Sequence, residues 1–182
     1  MWDDPGPVDV LRIELLLDAL ASEEPAPGGG SAAALVGAMA AALCAKVARF
    51  SADGGSTAQA AALCRRLTAL ADEDARLYVT ALSELELRDD DFKLGRALEE
   101  AADAPLRIAE ACADVAVLAS ALAEHGASER QADARSAAAL AAGAARAAAV
   151  LVEVNLGVSD ADARVQLAQK LSAQADAAAR LS

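Results

Sequence analysis

The sequence feature that most constrains the fold is the segment PAPGGG at residues 25–30, which an alanine-rich run from Ser31 to Phe50 follows directly. Two prolines and three glycines cannot continue a helix, whereas the run after them can hardly form anything else. The glycines are therefore predicted to lie at a helix N-terminus. The first backbone N–H groups at such an end lack partners within the helix, and Ser31 is predicted to cap them.

This helix start is also a candidate binding site. Bare glycines let a ligand touch the backbone, and the unpartnered N–H groups favour an anion or a carbonyl oxygen. A flexible turn between two helices is the alternative interpretation. Each ordered glycine costs about 1 kcal/mol relative to alanine, so a plain turn would need only one. The predicted substrate-binding residues here are Pro27, Gly28, Gly29, Gly30 and Ser31.

Helical periodicity continues along the chain, and no segment shows the alternation of a β-strand. Five of the predicted helices cover residues 8–22, 31–50, 57–87, 129–156 and 161–181. Another helix, the fourth in chain order, is predicted between a charged turn at 88–91 and a break at 124–128. Four local features are predicted as well: Leu11, Leu15 and Leu16 face inward, Ser56 caps the third helix, Pro105 kinks or divides the fourth, and residues 157–160 cap the last.

These patterns predict an all-α fold, an antiparallel bundle of roughly six helices in a single domain covering residues 1–182. Hydrophobic residues form 55% of the chain but aromatic residues only 2%, and alanine supplies most of the apolar content. Alanine packs backbones closely but buries little area per residue. We therefore expect a second subunit to complete the core, which makes a homodimer the predicted assembly.

The net charge disfavours two classes of partner, and the cysteines indicate the cellular compartment. The 16 basic and 28 acidic residues give a net charge of −12, which disfavours nucleic acid and anionic lipid surfaces. The three scattered cysteines are typical of buried thiols in a reducing compartment, so a cytoplasmic location is expected. The alanine-rich run 136–154 contains Arg146 and Glu153, which favours a buried helix over a membrane span.

Four polar side chains interrupt the apolar rows of the predicted helices: Asp74, Asp133, Asn155 and Lys46. A carboxylate in a leucine row should have a raised pKa or a cation beside it, and both suit catalysis. Lys46 is the predicted cation for such a carboxylate or for an anionic ligand. The alternatives are that Asp74 belongs to a solvated acidic run at 72–74 and that Lys46 reaches the rim of the bundle.

Several stretches of the chain carry a family resemblance: residues 18–21, 25–34, 42–51, 104–110 and 154–157, together with Asp74. They resemble the cyclodeaminase/cyclohydrolase family, which includes the C-terminal domain of formiminotransferase-cyclodeaminase and stand-alone methenyltetrahydrofolate cyclohydrolases. The resemblance implies a tetrahydrofolate derivative as the substrate, with Asp74 and Asp133 as catalytic candidates and Asn155 as a binding residue. Lys46 departs from the family pattern, where methionine is typical, and is a catalytic candidate through its position on an apolar helix. No histidine, cysteine or carboxylate cluster has metal-ligand spacing, so no metal is expected.

The implied activity is hydrolysis of 5,10-methenyltetrahydrofolate, or cyclisation of 5-formiminotetrahydrofolate with loss of ammonia. The chain departs from the family pattern at Leu151, which stands where the first of two asparagines is typical, while Asn155 matches the second. The alternative function is therefore a catalytically degenerate relative that serves as a binding or assembly module. Tyr78 and Phe92 are the obvious candidates to stack on a pterin ring.

Overall fold

The structure, a computed structural model, describes residues 10–87, 91–157 and 162–182. Within these residues the chain forms six α-helices, a one-turn 3-10 helix at Ser128–Arg130 and no β-strand. The helices are α1 (Val10–Leu20), α2 (Gly29–Phe50), α3 (Gly54–Leu87), α4 (Asp91–His125), α5 (Gln131–Asn155) and α6 (Ala163–Leu181). The predicted all-α bundle of roughly six helices is therefore confirmed.

Three central helices, α2, α4 and α5, pack against one another, while α3 covers α2 and α4 and α6 covers α4 and α5. Contacts at both ends show that α2 and α5 are antiparallel. Lys46, near the end of α2, forms an ion pair with Asp133 at the start of α5, with 2.8 Å between Nζ and Oδ2. At the opposite end, Gly29 faces the side chain of Leu151.

The core is built mainly from alanine, with a few larger buried side chains between the helices. The largest fully buried residues include Leu67, Leu70, Ile108, Val115 and Val152. Small side chains let the helices approach closely, and Gly37 marks a crossing where a Cβ would overlap the sulfur of Cys112. Burial raises the pKa of the Cys112 thiol to about 12, so this thiol stays protonated at neutral pH.

Two segments, α2 and residues 128–155, are long and apolar enough to cross a bilayer by length and composition. In the fold both lie at the centre of the bundle. The most apolar 18-residue windows of the two are 61% and 50% buried by the rest of the described chain. Packing against neighbouring helices accounts for their apolar character.

Some helix ends differ from the prediction. Gly54, Gly55 and Ser56 form the first turn of α3, and Asp53 rather than Ser56 is the cap. The Oδ1 atom of Asp53 accepts a hydrogen bond from the Ser56 N–H at 3.0 Å, and hydrogen bonds from the Ser56 hydroxyl and N–H hold the Asp53 pKa below its usual range. Asp162 caps α6. Of the predicted charged turn 88–91, residues 88–90 lie outside the described residues, and Asp91 is already the first residue of α4. Of the predicted cap 157–160, residues 158–160 lie outside the described residues as well.

The inward orientation predicted for α1 is wrong at Leu15, whose side chain is 65% exposed. Leu16 is half-buried, and the side chain of Leu11 lies outside the described residues. Two neighbours of Leu15 on the same helix, Ile13 and Leu17, are also exposed. The apolar residues of α1 surround much of its circumference, so periodicity alone did not identify the face that packs.

A side-chain hydrogen bond compensates for the proline inside α4. Pro105 has no N–H, so the carbonyl of Ala101 loses its usual partner four residues along the helix. The Nδ2 group of Asn155 donates to that carbonyl oxygen at 2.8 Å. The structure keeps α4 as one helix through Pro105, so the predicted division does not occur, and the end of α5 is tied to the middle of α4.

We expect the Asn155→Ala substitution to lower the free energy of unfolding by about 1–3 kcal/mol, because a buried carbonyl loses its donor. In a Pro105→Ala background the new N–H at position 105 can bond to Ala101, so the same substitution should cost less than half as much. Urea unfolding of the four proteins in this double-mutant cycle measures the coupling. Ser136→Ala, at an exposed position nearer the start of the same helix, is the control. Equal costs in both backgrounds would show that Asn155 does not replace the missing N–H.

Candidate active site

A cavity of about 220 Å³, here called the inner pocket, lies where the start of α2 meets α3, α4 and the end of α5. It brings together the glycine segment and two of the polar side chains that the sequence singled out. Its polar and aromatic lining residues are Asp74, Tyr78 and Asn155, and its walls include Gly28, Gly29, Gly30, Pro105 and Leu151.

The glycine segment forms the start of α2, as predicted, but the cap differs. Gly28 is the N-cap in an extended conformation, and the first helical bond runs from the N–H of Ala32 to its carbonyl at 3.0 Å. The N–H groups of residues 29–31 therefore have no partner within the helix. Ser31 does not cap the helix, because its hydroxyl group is directed across to α3 and donates to the carbonyl oxygen of Ala71 at 2.9 Å.

Close approach explains the glycine at position 30. A Cβ atom there would overlap all three atoms of the Asp74 carboxyl group. At Gly29 a Cβ would instead make ordinary contact with Leu151, 3.7 Å from its two Cδ atoms. Gly30 is thus required by the protein itself, whereas a Cβ at position 29 would fit against Leu151 at the wall of the inner pocket.

Asp74 is buried in the core-facing row of α3, with 8% of its surface exposed. Desolvation raises its pKa, and hydrogen bonds from the N–H and the hydroxyl of Ser31 partly oppose that rise. The hydroxyl carries one proton, so at any moment it donates either to Asp74 or to the carbonyl of Ala71. No ion pair to Asp74 occurs within the described residues, so the Ser31 groups are its hydrogen-bond donors. The N–H groups of residues 29 and 30, which have no partner within the helix, lie in the same turn.

The three consecutive acidic residues at 72–74 have different surroundings, so the interpretation as one solvated acidic run is wrong for Asp74. Asp72 is exposed to solvent. Glu73 faces α4 and accepts from Arg107, with 2.6 Å between Oε1 and Nη1. Only Asp74 points into the bundle, because successive residues of a helix are turned by about 100°.

Lys46 and Asp133 are not brought to the inner pocket. They bind each other, and both are partly exposed. Lys46 follows Gly30 by 16 residues on α2, or about 24 Å at a rise of about 1.5 Å per residue. Asp133 precedes Asn155 by 22 residues on α5, which is about 33 Å. The expectation that Lys46 lies beside the buried carboxylate is therefore wrong, and the predicted site residues form two groups at opposite ends of the bundle.

Asn155 lines the inner pocket while its amide nitrogen is held by Ala101. Tyr78, one turn after Asp74, also lines the pocket and is 41% exposed. Phe92, the other predicted stacking residue, is 78% exposed and is not part of the pocket wall. Sequence reasoning did not identify Pro105 as a wall of the site, although a proline inside a long helical pattern is a signal that something must compensate for it.

A second cavity of about 880 Å³, here called the outer groove, runs between α1, the start of α2 and α3. Pro27 and Ser31 line this groove rather than the inner pocket. Ala26 and Ala75 line both cavities, so the two are adjacent.

The expectation that no metal is needed stays a prediction. In the part of the chain that the structure describes, no three histidine, cysteine or carboxylate side chains lie close enough together to hold a metal ion. The chemistry available in the inner pocket is that of a buried carboxylate, backbone N–H groups and one side-chain amide.

Comparison with known proteins agrees with the resemblance read from the sequence. A methenyltetrahydrofolate cyclohydrolase of Methylorubrum extorquens is 34% identical over 133 residues, which make up 63% of this chain and 64% of that enzyme. The match therefore spans a little under two thirds of the relative's length.

The fold agrees with a crystal structure of formiminotetrahydrofolate cyclodeaminase from Thermotoga maritima, with a TM-score of 0.85 over 95% of both chains. At 24% identity this likeness shows the fold alone. The family model described as formiminotransferase-cyclodeaminase matches residues 12–174. Because that match covers most of the chain, the protein belongs to the formiminotransferase-cyclodeaminase family.

Proposed function

We propose that this protein catalyses a one-carbon reaction on a tetrahydrofolate derivative, with Asp74 as the acid-base group. The two candidate reactions are hydrolysis of 5,10-methenyltetrahydrofolate and cyclisation of 5-formiminotetrahydrofolate with loss of ammonia. The observation that carries the proposal is the buried carboxylate of Asp74, which lies against the start of α2 in the inner pocket. The names of the related proteins support the substrate class.

In the hydrolysis, water attacks the amidinium carbon between two folate nitrogens. Asp74 accepts a proton from that water as the new carbon–oxygen bond forms. One carbon–nitrogen bond then breaks while the new hydroxyl group releases its proton to solvent and becomes the formyl carbonyl. The same carboxyl group can return the first proton to the departing nitrogen. The amidinium is cationic, so a desolvated carboxylate also attracts the substrate to the pocket.

In the cyclisation, the second folate nitrogen attacks the formimino carbon and ammonia departs. The departing nitrogen needs a proton, which the carboxylic acid form of Asp74 can donate. Both reactions therefore need a carboxyl group that exchanges a proton close to neutral pH. Burial favours this property, because it raises the pKa of Asp74 toward the operating range of an acid-base catalyst.

The alternative, a binding or assembly module, is favoured by one specific observation. Leu151 lines the inner pocket and presents methyl groups beside Gly29, where the family pattern has an amide. Asn155, the remaining amide, already donates to the backbone of α4. A pocket with fewer polar groups can still bind a folate without turning it over, so turnover and binding must be measured separately.

The homodimer and the cytoplasmic location stay predictions, as does the absence of nucleic-acid and membrane partners. Exposed apolar side chains on the central helices support the dimer: Met39 on α2 and Val154 on α5 are 57% and 63% exposed. A measurement of mass in solution tests it.

We expect Asp74→Asn to lower the turnover of the active substrate about 10²-fold or more, because the amide keeps the shape of the carboxyl group but cannot exchange a proton. Loss of the methenyltetrahydrofolate absorption band, or release of ammonia from the formimino substrate, measures turnover. Asp114→Asn removes an exposed carboxylate on α4 and is the matched control. Unchanged turnover in the Asp74 variant would remove this residue from the mechanism.

Asp74→Asn should also raise the free energy of unfolding at neutral pH. The folded pKa of Asp74 lies above the value of about 3.9 in an unfolded chain, so ionisation opposes folding as the pH rises between the two values. The gain in free energy of unfolding of the variant over wild type is therefore largest above the folded pKa. It shrinks as the pH falls through that pKa and vanishes below about 3.9. Urea unfolding across this range measures it, and a pH-independent difference would contradict burial as the cause. Asp114→Asn should show no such gain.

Gly29→Ala tests whether the start of α2 is a site or only a turn. The new methyl group contacts Leu151 without overlap, so the free energy of unfolding should change by no more than about 1 kcal/mol. Crowding of a ligand at this wall typically costs about 1–3 kcal/mol, so the Kd for a folate should rise about tenfold. Gly54→Ala, at the first residue of α3 with open space around it, is the control. Equal folate binding in both variants would identify the segment as a connection.

A further inference from the structure

The two cavities differ in what they can hold. The inner pocket, at about 220 Å³, is smaller than the range of about 300–1,000 Å³ typical of sites for drug-sized ligands, whereas the outer groove, at about 880 Å³, lies within it. A tetrahydrofolate consists of a bicyclic ring, a p-aminobenzoyl group and a glutamate with two carboxylates. If the reacting ring occupies the inner pocket, as the proposed function requires, the remainder of the molecule must extend beyond it.

The inner pocket is unsuited to the glutamate carboxylates. The start of α2 would ordinarily attract an anion, but the carboxyl group of Asp74 lies directly against Gly30. Two carboxylates at this end of the helix would repel each other in a desolvated environment. The N–H groups of residues 29 and 30 are therefore suited to a neutral oxygen, and the glutamate needs a cation elsewhere.

Arg76 provides such a cation in the neighbouring cavity. It follows Asp74 by two residues on α3, lines the outer groove and is exposed to solvent. It forms no ion pair with any residue that the structure describes. Its guanidinium group has the geometry for two parallel hydrogen bonds to one carboxylate. The groove between Arg76 and the inner pocket has apolar walls, among them Pro27, Leu35 and Val79, which suit an aromatic ring.

We infer that the outer groove binds the p-aminobenzoylglutamate part of the folate and that Arg76 binds its glutamate carboxylates. Ala26 and Ala75 line both cavities, so a folate with its ring in the inner pocket would cross this shared boundary into the groove. Asp72 also lines the groove, one helical turn before Arg76, and its negative charge opposes the same carboxylates. The inference therefore predicts effects of opposite sign for the two residues.

The experiment compares KM and kcat for the active folate in Arg76→Gln, Asp72→Asn and a control, Arg65→Gln. Arg65 is exposed on the same helix, three turns before Arg76, and lines neither cavity. We expect Arg76→Gln to raise KM about tenfold with little change in kcat, and Asp72→Asn to lower KM about twofold. The control should behave as wild type. The increase in Arg76→Gln should shrink in about 1 M salt, because the groove is open to solvent.

A truncated ligand separates the ring from the tail. Inhibition by 6-methyltetrahydropterin, which has the ring but no p-aminobenzoylglutamate, should be the same in Arg76→Gln and wild type. Two results would overturn the assignment of the tail to Arg76 while the proposed function stands. One is an equal KM for Arg76→Gln and Arg65→Gln. The other is that Arg76→Gln weakens inhibition by the truncated ligand as much as it raises KM for the folate. If wild type turns over no folate, the proposed function fails, and the Kd from equilibrium titration replaces KM in the comparison of the variants. If wild type also binds no folate, this inference fails as well.

Discussion

The contact between the carboxyl group of Asp74 and the bare Cα of Gly30 determines how α3 meets the start of α2, and the candidate site depends on it. A side chain at position 30 would push the two helices apart and open the buried end of the inner pocket. The same contact explains why Asp74 is desolvated, because the backbone covers its carboxyl group in place of water. Ser31 adds a second link between the helices through the carbonyl of Ala71.

Alanine makes such contacts possible elsewhere in the bundle. Close helix packing needs small side chains at the crossings, and the core supplies them along α2, α4 and α5. Burial of apolar area stabilises each crossing only slightly, since a methyl group removes little surface from water. A fold of this kind depends on many small apolar contacts. Polar pairs, such as that formed by Arg107 and Glu73, add links between neighbouring helices.

Sequence periodicity predicted the buried face of α3 but not that of α1, and it did not predict which residues meet across the helices. The spacing of the leucine row on α3 placed Asp74 inside, and the glycines placed a helix start beside it, because both features are local. Lys46 and Asp133 were both identified as unusual, yet the structure pairs them with each other. Which side chains pair depends on the axial position of each helix relative to its neighbour. The sequence pattern within one helix does not determine that position. The link from Asn155 to Ala101 was hidden for the same reason.

The hydrogen bond from Asn155 to Ala101 also determines which hydrogen-bonding groups the inner pocket presents to a ligand. A carbonyl oxygen only accepts, so the amide group of Asn155 must turn its nitrogen toward Ala101, and its oxygen points the other way. The oxygen accepts from none of the described residues and remains available, as do the oxygens of Asp74 that Ser31 does not occupy. The side chains of α3 and α5 thus offer the pocket mainly acceptors, opposite the N–H groups of α2. Hydrogen-bond donors of a ligand are therefore complementary to α3 and α5, and an acceptor is complementary to α2.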